Sequence, residues 1–276
     1  MGWTARLDLH YALQDGRSVA RFRHEGPLRV LHSLYPEGEA VCHNVLVHPP
    51  GGIVGGDTLQ IELNLDPGTH ALLTTPGATR FYRTSGESAR QSVHARVAAG
   101  ARLEWLPLEA LAYSGCQAHN ELKLDLAPGA EMMGWDVLAL GLPAADQPFT
   151  AGRFQQHLEM PGVWLERGSI DATDHALLDG PVGLAGRRCL ATLFFASGDA
   201  LARERREAAL ELARDVIATH PLASTAGATS PNPQVVVLRV LAPLVEPAFD
   251  LLKSVWAQWR TALWKLPAEQ PRVWSV

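Results

Sequence analysis

Four stretches of the chain share one layout: LDPGTH at 65–70, VAAGAR at 97–102, LAPGAE at 126–131 and EMPGVW at 159–164. Their glycines, Gly68, Gly100, Gly129 and Gly162, follow one another at intervals of 32, 29 and 33 residues. Alternating apolar and polar residues lead into each glycine, as at Leu122, Leu124 and Leu126, and leave it again, as at Ala101, Leu103 and Trp105. A period of two is the pattern of a half-buried strand. A near-constant interval with one turn chemistry predicts one supersecondary unit laid down repeatedly, neighbouring copies burying a continuous core. The expected fold class is mainly β, either β-helical or built of stacked β-hairpin layers. The alternative is that Pro-Gly turns recur by chance in an all-β chain.

Further strands fit residues 3–13, where Ala5, Leu7, Leu9 and Tyr11 share a face, then 58–65, 188–196 and 234–241. Two α-helices are expected in the C-terminal third. The first runs near 199–218, with Ser197 or Asp199 as N-cap and a stop before His220 and Pro221. The second runs near 247–265, with Pro247 in its first turn and Phe249, Leu252, Trp256, Trp259 and Leu263 along one stripe. Between them STAGATSPNP, 224–233, reads as a flexible loop. Trp256, Trp259 and Trp264 either cap the β core or offer a partner-binding face, since interface anchors are enriched in Trp.

At 276 residues the chain is long enough for one large β domain, and a single domain over 1–276 is expected. With 19% charged and 47% hydrophobic residues and a net charge of −5, it is neither disordered nor suited to nucleic acid. No apolar run reaches membrane-span length and MGWTARLDLH lacks a signal-peptide pattern, so the expected location is cytoplasmic, with no membrane partner. Cys42, Cys116 and Cys189 are odd in number and far apart, which argues against structural disulfides.

HPPGGIVGGD, 48–57, is glycine-rich without being a phosphate loop. It matches neither G-x-x-x-x-G-K-[ST] nor G-x-G-x-x-G, it ends on Asp57, and it feeds a strand rather than a helix. Its glycines therefore serve turn geometry. The chain has no G-x-S-x-G or H-E-x-x-H motif, and its closest histidines, His43 and His48, are five apart. Cys42, His43 and His48 are secondary metal candidates by ligand type, although strand neighbours such as Cys42 and His43 point to opposite faces. Asp171 and Asp174 beside His175 read as a solvated turn. Asp57, Asp136 and Glu166 sit in glycine-rich or strongly apolar sequence, where each acid needs a partner, a wet channel or a cation.

The stretches at 26–57 (GPLRVLHSLYPEGEAVCHNVLVHPPGGIVGGD), 74–83 (TTPGATRFYR), 103–109 (LEWLPLE), 134–141 (GWDVLALG) and 271–274 (PRVW) together resemble the urease accessory protein UreD (UreH) family over essentially the whole chain. Leu108, where the family usually has glutamine, and AYSGCQA at 112–118 depart from its pattern. The resemblance implies a β-helical, non-catalytic scaffold in urease maturation. It implies binding to UreF, through UreF to the GTPase UreG, and to apo-urease, in an assembly made homodimeric through UreF. It also implies no permanent cofactor, with nickel in transit along an internal route; on that view Asp57, Asp136 and Glu166 are the candidate lining. The alternatives are a docking module that passes no ion and a β-helical or cupin-like metalloenzyme.

Overall fold

The alternation becomes coils of parallel strands in the computed structural model, which describes residues 2–275. An opening layer holds β1 (Thr4–Gln14), β2 (Arg17–Glu25), β3 (Arg29–Val30) and β4 (Val41–Val47). The first full coil is β5 (Thr58–Leu65), β6 (His70–Thr74) and β7 (Thr79–Phe81); the second is β8 (Ala89–Val97), β9 (Arg102–Trp105) and β10 (Ala110–Ala112). The third is β11 (Cys116–Leu126) and the long β12 (Glu131–Leu142), followed by β13 (Gln147–Pro148), β14 (Gly152–Met160) and β15 (Trp164–Asp171). The remainder is α1 (His175–Asp179), β16 (Cys189–Ser197), α2 (Arg203–Thr219), β17 (Ala226–Asn232), β18 (Val235–Ala242) and α3 (Val245–Trp259). Strands take 47% of the chain and helices 19%, so the class is mainly β.

Three faces enclose the interior. On the first, β1, β5, β8, β11 and β14 run parallel, with β2 and β15 added antiparallel at the edges. On the second, β4, β6, β9 and the start of β12 run parallel, and β16, β18 and β17 extend the sheet antiparallel. The third is β7, β10 and the end of β12. Parallel pairing stacks equivalent residues: Ile61, Val93, Leu122 and Leu158 form one buried row.

Gly68, Gly100 and Gly129 make the corners between the first and second faces, each at positive φ. The corners stack, with the Gly100 amide donating to the Gly129 carbonyl at 3.2 Å. A Cβ on Gly129 would lie 3.5 Å from the Gly100 nitrogen. Gly162 differs, because it closes a true hairpin between β14 and β15. Three of the four repeated turns are thus coil corners, and one is a hairpin.

A second core fills the space between the outer side of the second face and the helices. α3 buries Phe249, Leu252, Trp256 and Trp259 there, as the stripe in its sequence predicts. It continues beyond Trp259 as a π-helical turn over Arg260–Trp264. α2 starts at Arg203 rather than near 199, and Ala202 caps it without a side-chain bond. The reason is that Asp199 is used elsewhere, accepting the Gly129 amide at 2.6 Å, while Ser197 Oγ receives the Asp199 amide at 3.3 Å. The segment read as a loop, 224–233, is largely the edge strand β17, which pairs with β18 through an irregularity between Thr229 and Asn232. Pro231 falls at that irregularity on the sheet edge, where a missing N–H is tolerated.

Gly129→Val places a branched side chain at positive φ in a stacked corner and is expected to cost about 1–3 kcal/mol. Gly168→Ala, where a Cβ meets open space without positive φ, should stay within about 0.5 kcal/mol of the parent. Urea unfolding of the two variants checks the contrast, and equal midpoints would refute the role given to the corners.

Candidate functional site

One inward-facing row departs from the apolar rule. Leu59, Gln91, Asn120 and Gln156 occupy equivalent positions on β5, β8, β11 and β14. Their amides join head to tail: Gln91 Nε2 donates to Asn120 Oδ1 at 3.1 Å, and Asn120 Nδ2 donates to Gln156 Oε1 at 3.3 Å. Asn120 Nδ2 also donates to Asp136 Oδ1 at 3.1 Å. Gln156 Nε2 is enclosed and has no hydrogen-bond partner. A side-chain amide carries two donors and one good acceptor, so a chain of three ends on an orphan unless something else meets it.

Asp136 faces this row from β12. Burial pushes its pKa up to about 7, the nearby Glu166 charge adds to that, and the Gln156 and Asn120 amides pull the other way. It is not fully enclosed and lines two cavities, yet no ion pair to it occurs among the described residues. Glu166, on β15, is paired with Arg239 of β18, whose Nε lies 3.2 Å from Oε2, and it accepts the Trp164 indole N–H at 3.2 Å.

Three cavities run along the row. The first, about 190 Å³, is bordered by His48, Gly51, Gly52 and the 75–80 loop. The second, about 20 Å³, shares Thr79, Gln91, Trp105 and Pro107 with the first and also touches Asn120 and Asp136. The third, about 740 Å³, takes in Asp136, Gln156, Glu166 and Arg239 between β14–β15 and β16–β18. His48 packs tilted against Trp3 with ring centroids 5.2 Å apart, and its Nε2 is enclosed without a partner. Burial lowers the His48 pKa and so favours the neutral ring, and the Asp57 charge opposes this in part.

The other sequence candidates lie elsewhere. Asp57 borders none of the three cavities. It is buried in the glycine loop, accepting the amides of Val54 at 3.0 Å and Trp3 at 3.2 Å. The acid holds the loop rather than the loop presenting the acid. A Cβ on Gly52 would run into the Tyr82 ring, which explains a glycine there. Cys42 turns into the coil interior, with Sγ 3.5 Å from Asn44 Oδ1, while His43 turns outward to Glu37 at 2.6 Å. These neighbours do not share a ligand. Asp171 accepts the Thr173 amide at 2.9 Å and pairs with Arg153, and Asp174 caps α1 through the Leu177 amide, as a solvated turn should. Trp256, Trp259 and Trp264 are 0%, 0% and 4% exposed. They are core residues of this chain, and their indoles bond Glu104, the Ala209 carbonyl and Glu131.

Sequence reasoning missed a second polar cluster between the coils and α3. Glu104 is fully buried; its carboxylate is 3.1 Å from Arg260 Nε, 2.8 Å from His70 Nε2 and 2.7 Å from Trp256 Nε1. Arg260 also donates to Glu37 at 2.5 and 3.0 Å. Burial alone would raise the Glu104 pKa, but His70, Arg260 and Trp256 outweigh it and hold the carboxyl below its usual range. Every member is paired, so this cluster ties structure together. No group of three His, Cys, Asp or Glu side chains able to hold a metal occurs among the described residues.

The family described as UreD urease accessory protein matches residues 4–275. The chain belongs to that family. Similar curated proteins, each named urease accessory protein UreD, come from Paracidovorax citrulli at 64% identity, Variovorax paradoxus at 62% and Polaromonas sp. at 60%, in each case over the full length of both chains. Within this UreD-family chain, Glu104 and Trp105 come from LEWLPLE, Asp136 from GWDVLALG and Glu37 from the 26–57 stretch. Of the described residues, no helix is long and apolar enough to cross a membrane.

The raised pKa of Asp136 fixes a direction for stability. Between its ordinary value of 3.8 and about 7 the folded chain holds a proton that the unfolded chain releases, so this group makes folding less favourable as pH rises through that window and fully so above it. Asp136→Asn is therefore expected to raise the denaturation midpoint at pH 8, with the gain shrinking toward pH 4. Paired melts across that range test it, and a gain independent of pH would contradict it.

Proposed function

We propose that the chain is a non-catalytic scaffold of urease maturation that binds UreF, through UreF the GTPase UreG, and apo-urease, and that nickel moves toward the urease site through the chain's interior. Family membership supports the urease role. The interior route rests on one observation: three cavities follow one another, the first sharing four lining residues with the second, which is the neck, and the second and third sharing Asp136, with the His48 imidazole at the first and Glu166 at the third. A moving ion needs contacts that let go. A closed cage of thiolates and imidazoles holds nickel tightly, whereas scattered single oxygen contacts suit conduction. His48, Asp136 and Glu166 stand singly along the cavities, which is the second arrangement. Asp57 has no part in the route, being committed to its loop.

One observation favours a docking module that passes no ion. The neck offers about 20 Å³, room for about one water. A chain carrying His48→Ala, Asp136→Asn and Glu166→Gln separates the two readings. The triple variant should co-purify with UreF and UreG as the parent does, while urease matured with it gains little nickel and little activity. Normal nickel content and activity would remove the interior route and leave the docking role.

A further inference from the structure

We propose that the amides of Gln91, Asn120 and Gln156, with Asp136, form a contact for one largely dehydrated divalent cation, and that the amide row reverses direction to make it. The inference deepens the interior-route reading and rests on it for the cation's identity. The row is directional. With Gln91 donating to Asn120 and Asn120 to Gln156, the single Asn120 Nδ2 serves both Gln156 and Asp136, and Gln156 Nε2 at the far end makes no hydrogen bond, although the Gln156 amide lies near enough to Asp136 to favour its charged form. A buried donor left unmade is costly, and such groups in a folded protein call for an explanation.

Turning all three amides by half a turn exchanges nitrogen and oxygen at each while keeping the bonds between them, now donated from Gln156 to Asn120 and from Asn120 to Gln91. The orphaned N–H is replaced by Gln156 Oε1. Asn120 Oδ1 then faces Asp136 Oδ1, an arrangement two oxygens tolerate only with a cation or proton between them. The arrangement as it stands suits the cation-free neck, and the reversed one gathers oxygens from Asn120, Gln156 and Asp136.

The chemistry of the set decides what it would take. One carboxylate and two neutral amide oxygens carry a single formal charge, enough to draw a divalent ion and too little to retain it. Volume points the same way. A neck with space for about one water cannot pass an intact hydration shell, so protein oxygens must stand in for the lost waters, as backbone carbonyls do in ion filters. Arg239, which lines the third cavity, is paired with Glu166, and no ion pair to Asp136 occurs among the described residues.

Nuclear magnetic resonance of the full chain with 15N-labelled Asn and Gln side chains tests this. Paramagnetic Ni²⁺ should broaden the side-chain NH₂ signals of Asn120 and Gln156 to disappearance before those of the exposed Gln14 and Gln147. Diamagnetic Zn²⁺ should shift the same two, and Mg²⁺ should do so more weakly. Folded Asp136→Asn should lose these responses. Neck amides that respond no more than Gln14 and Gln147 would overturn the contact, whether or not the chain still supports urease activation. A parallel arm separates the two readings: if the neck amides respond in the parent but a folded Asn120→Leu chain activates urease normally, the contact stands and the delivery route is refuted.

Discussion

Parallel stacking of coils imposes strict equivalence, because a residue facing inward on one coil lies directly over its counterpart on the next. Where the counterparts are Ile61, Val93, Leu122 and Leu158, the result is an apolar row. One rung away the same rule stacks Gln91, Asn120 and Gln156, and three polar side chains that might each have sought solvent are held in line inside the protein. Side-chain direction in a strand follows from the pleat. Turning these amides outward would require a one-residue slip that also expels the leucines. The register that builds the core therefore also builds the polar seam, and the cavities follow from it.

The helices depend on a different device. Glu104 and Arg260 are buried, 156 positions apart in sequence, and join the second face of the coils to the end of α3. Glu37 and His70 complete the hydrogen bonding of the pair. Removing one partner from such a group commonly costs about 3–5 kcal/mol, since a charge is left buried and unpaired. The satisfied cluster outside the coils and the unsatisfied row inside them differ in what they ask for. The first has all its partners, and the second lacks one.

Much of the fold was legible in the sequence because the turns repeat. The glycine spacing announced the coils, and the apolar stripe announced α3. The β17 edge strand was hidden by its Gly, Ser and Pro content, and the late start of α2 by the use of Asp199 at a neighbouring corner, a contact 70 positions distant. The seam was readable in principle. Gln91, Asn120 and Gln156 each interrupt an inward alternation, as in Ala118, Asn120, Leu122 and Leu124, but only the register shows that the interruptions coincide. Asp136 and Glu166 drew attention through their apolar surroundings; Asp136 lines the neck and the third cavity, and Glu166 lines the third cavity paired with Arg239. Asp57, chosen on the same ground, instead satisfies local backbone donors.

Ion passage requires an interior that is wet and continuous from His48 to Glu166. A crystal structure of the chain at a resolution that locates water tests that most directly. The expectation is a file of ordered waters running from the His48 imidazole past Asn120, Gln156 and Asp136 to the Glu166–Arg239 pair. A dry neck, closed by Thr79, Trp105 and Pro107 with no water beside Asp136, would contradict it.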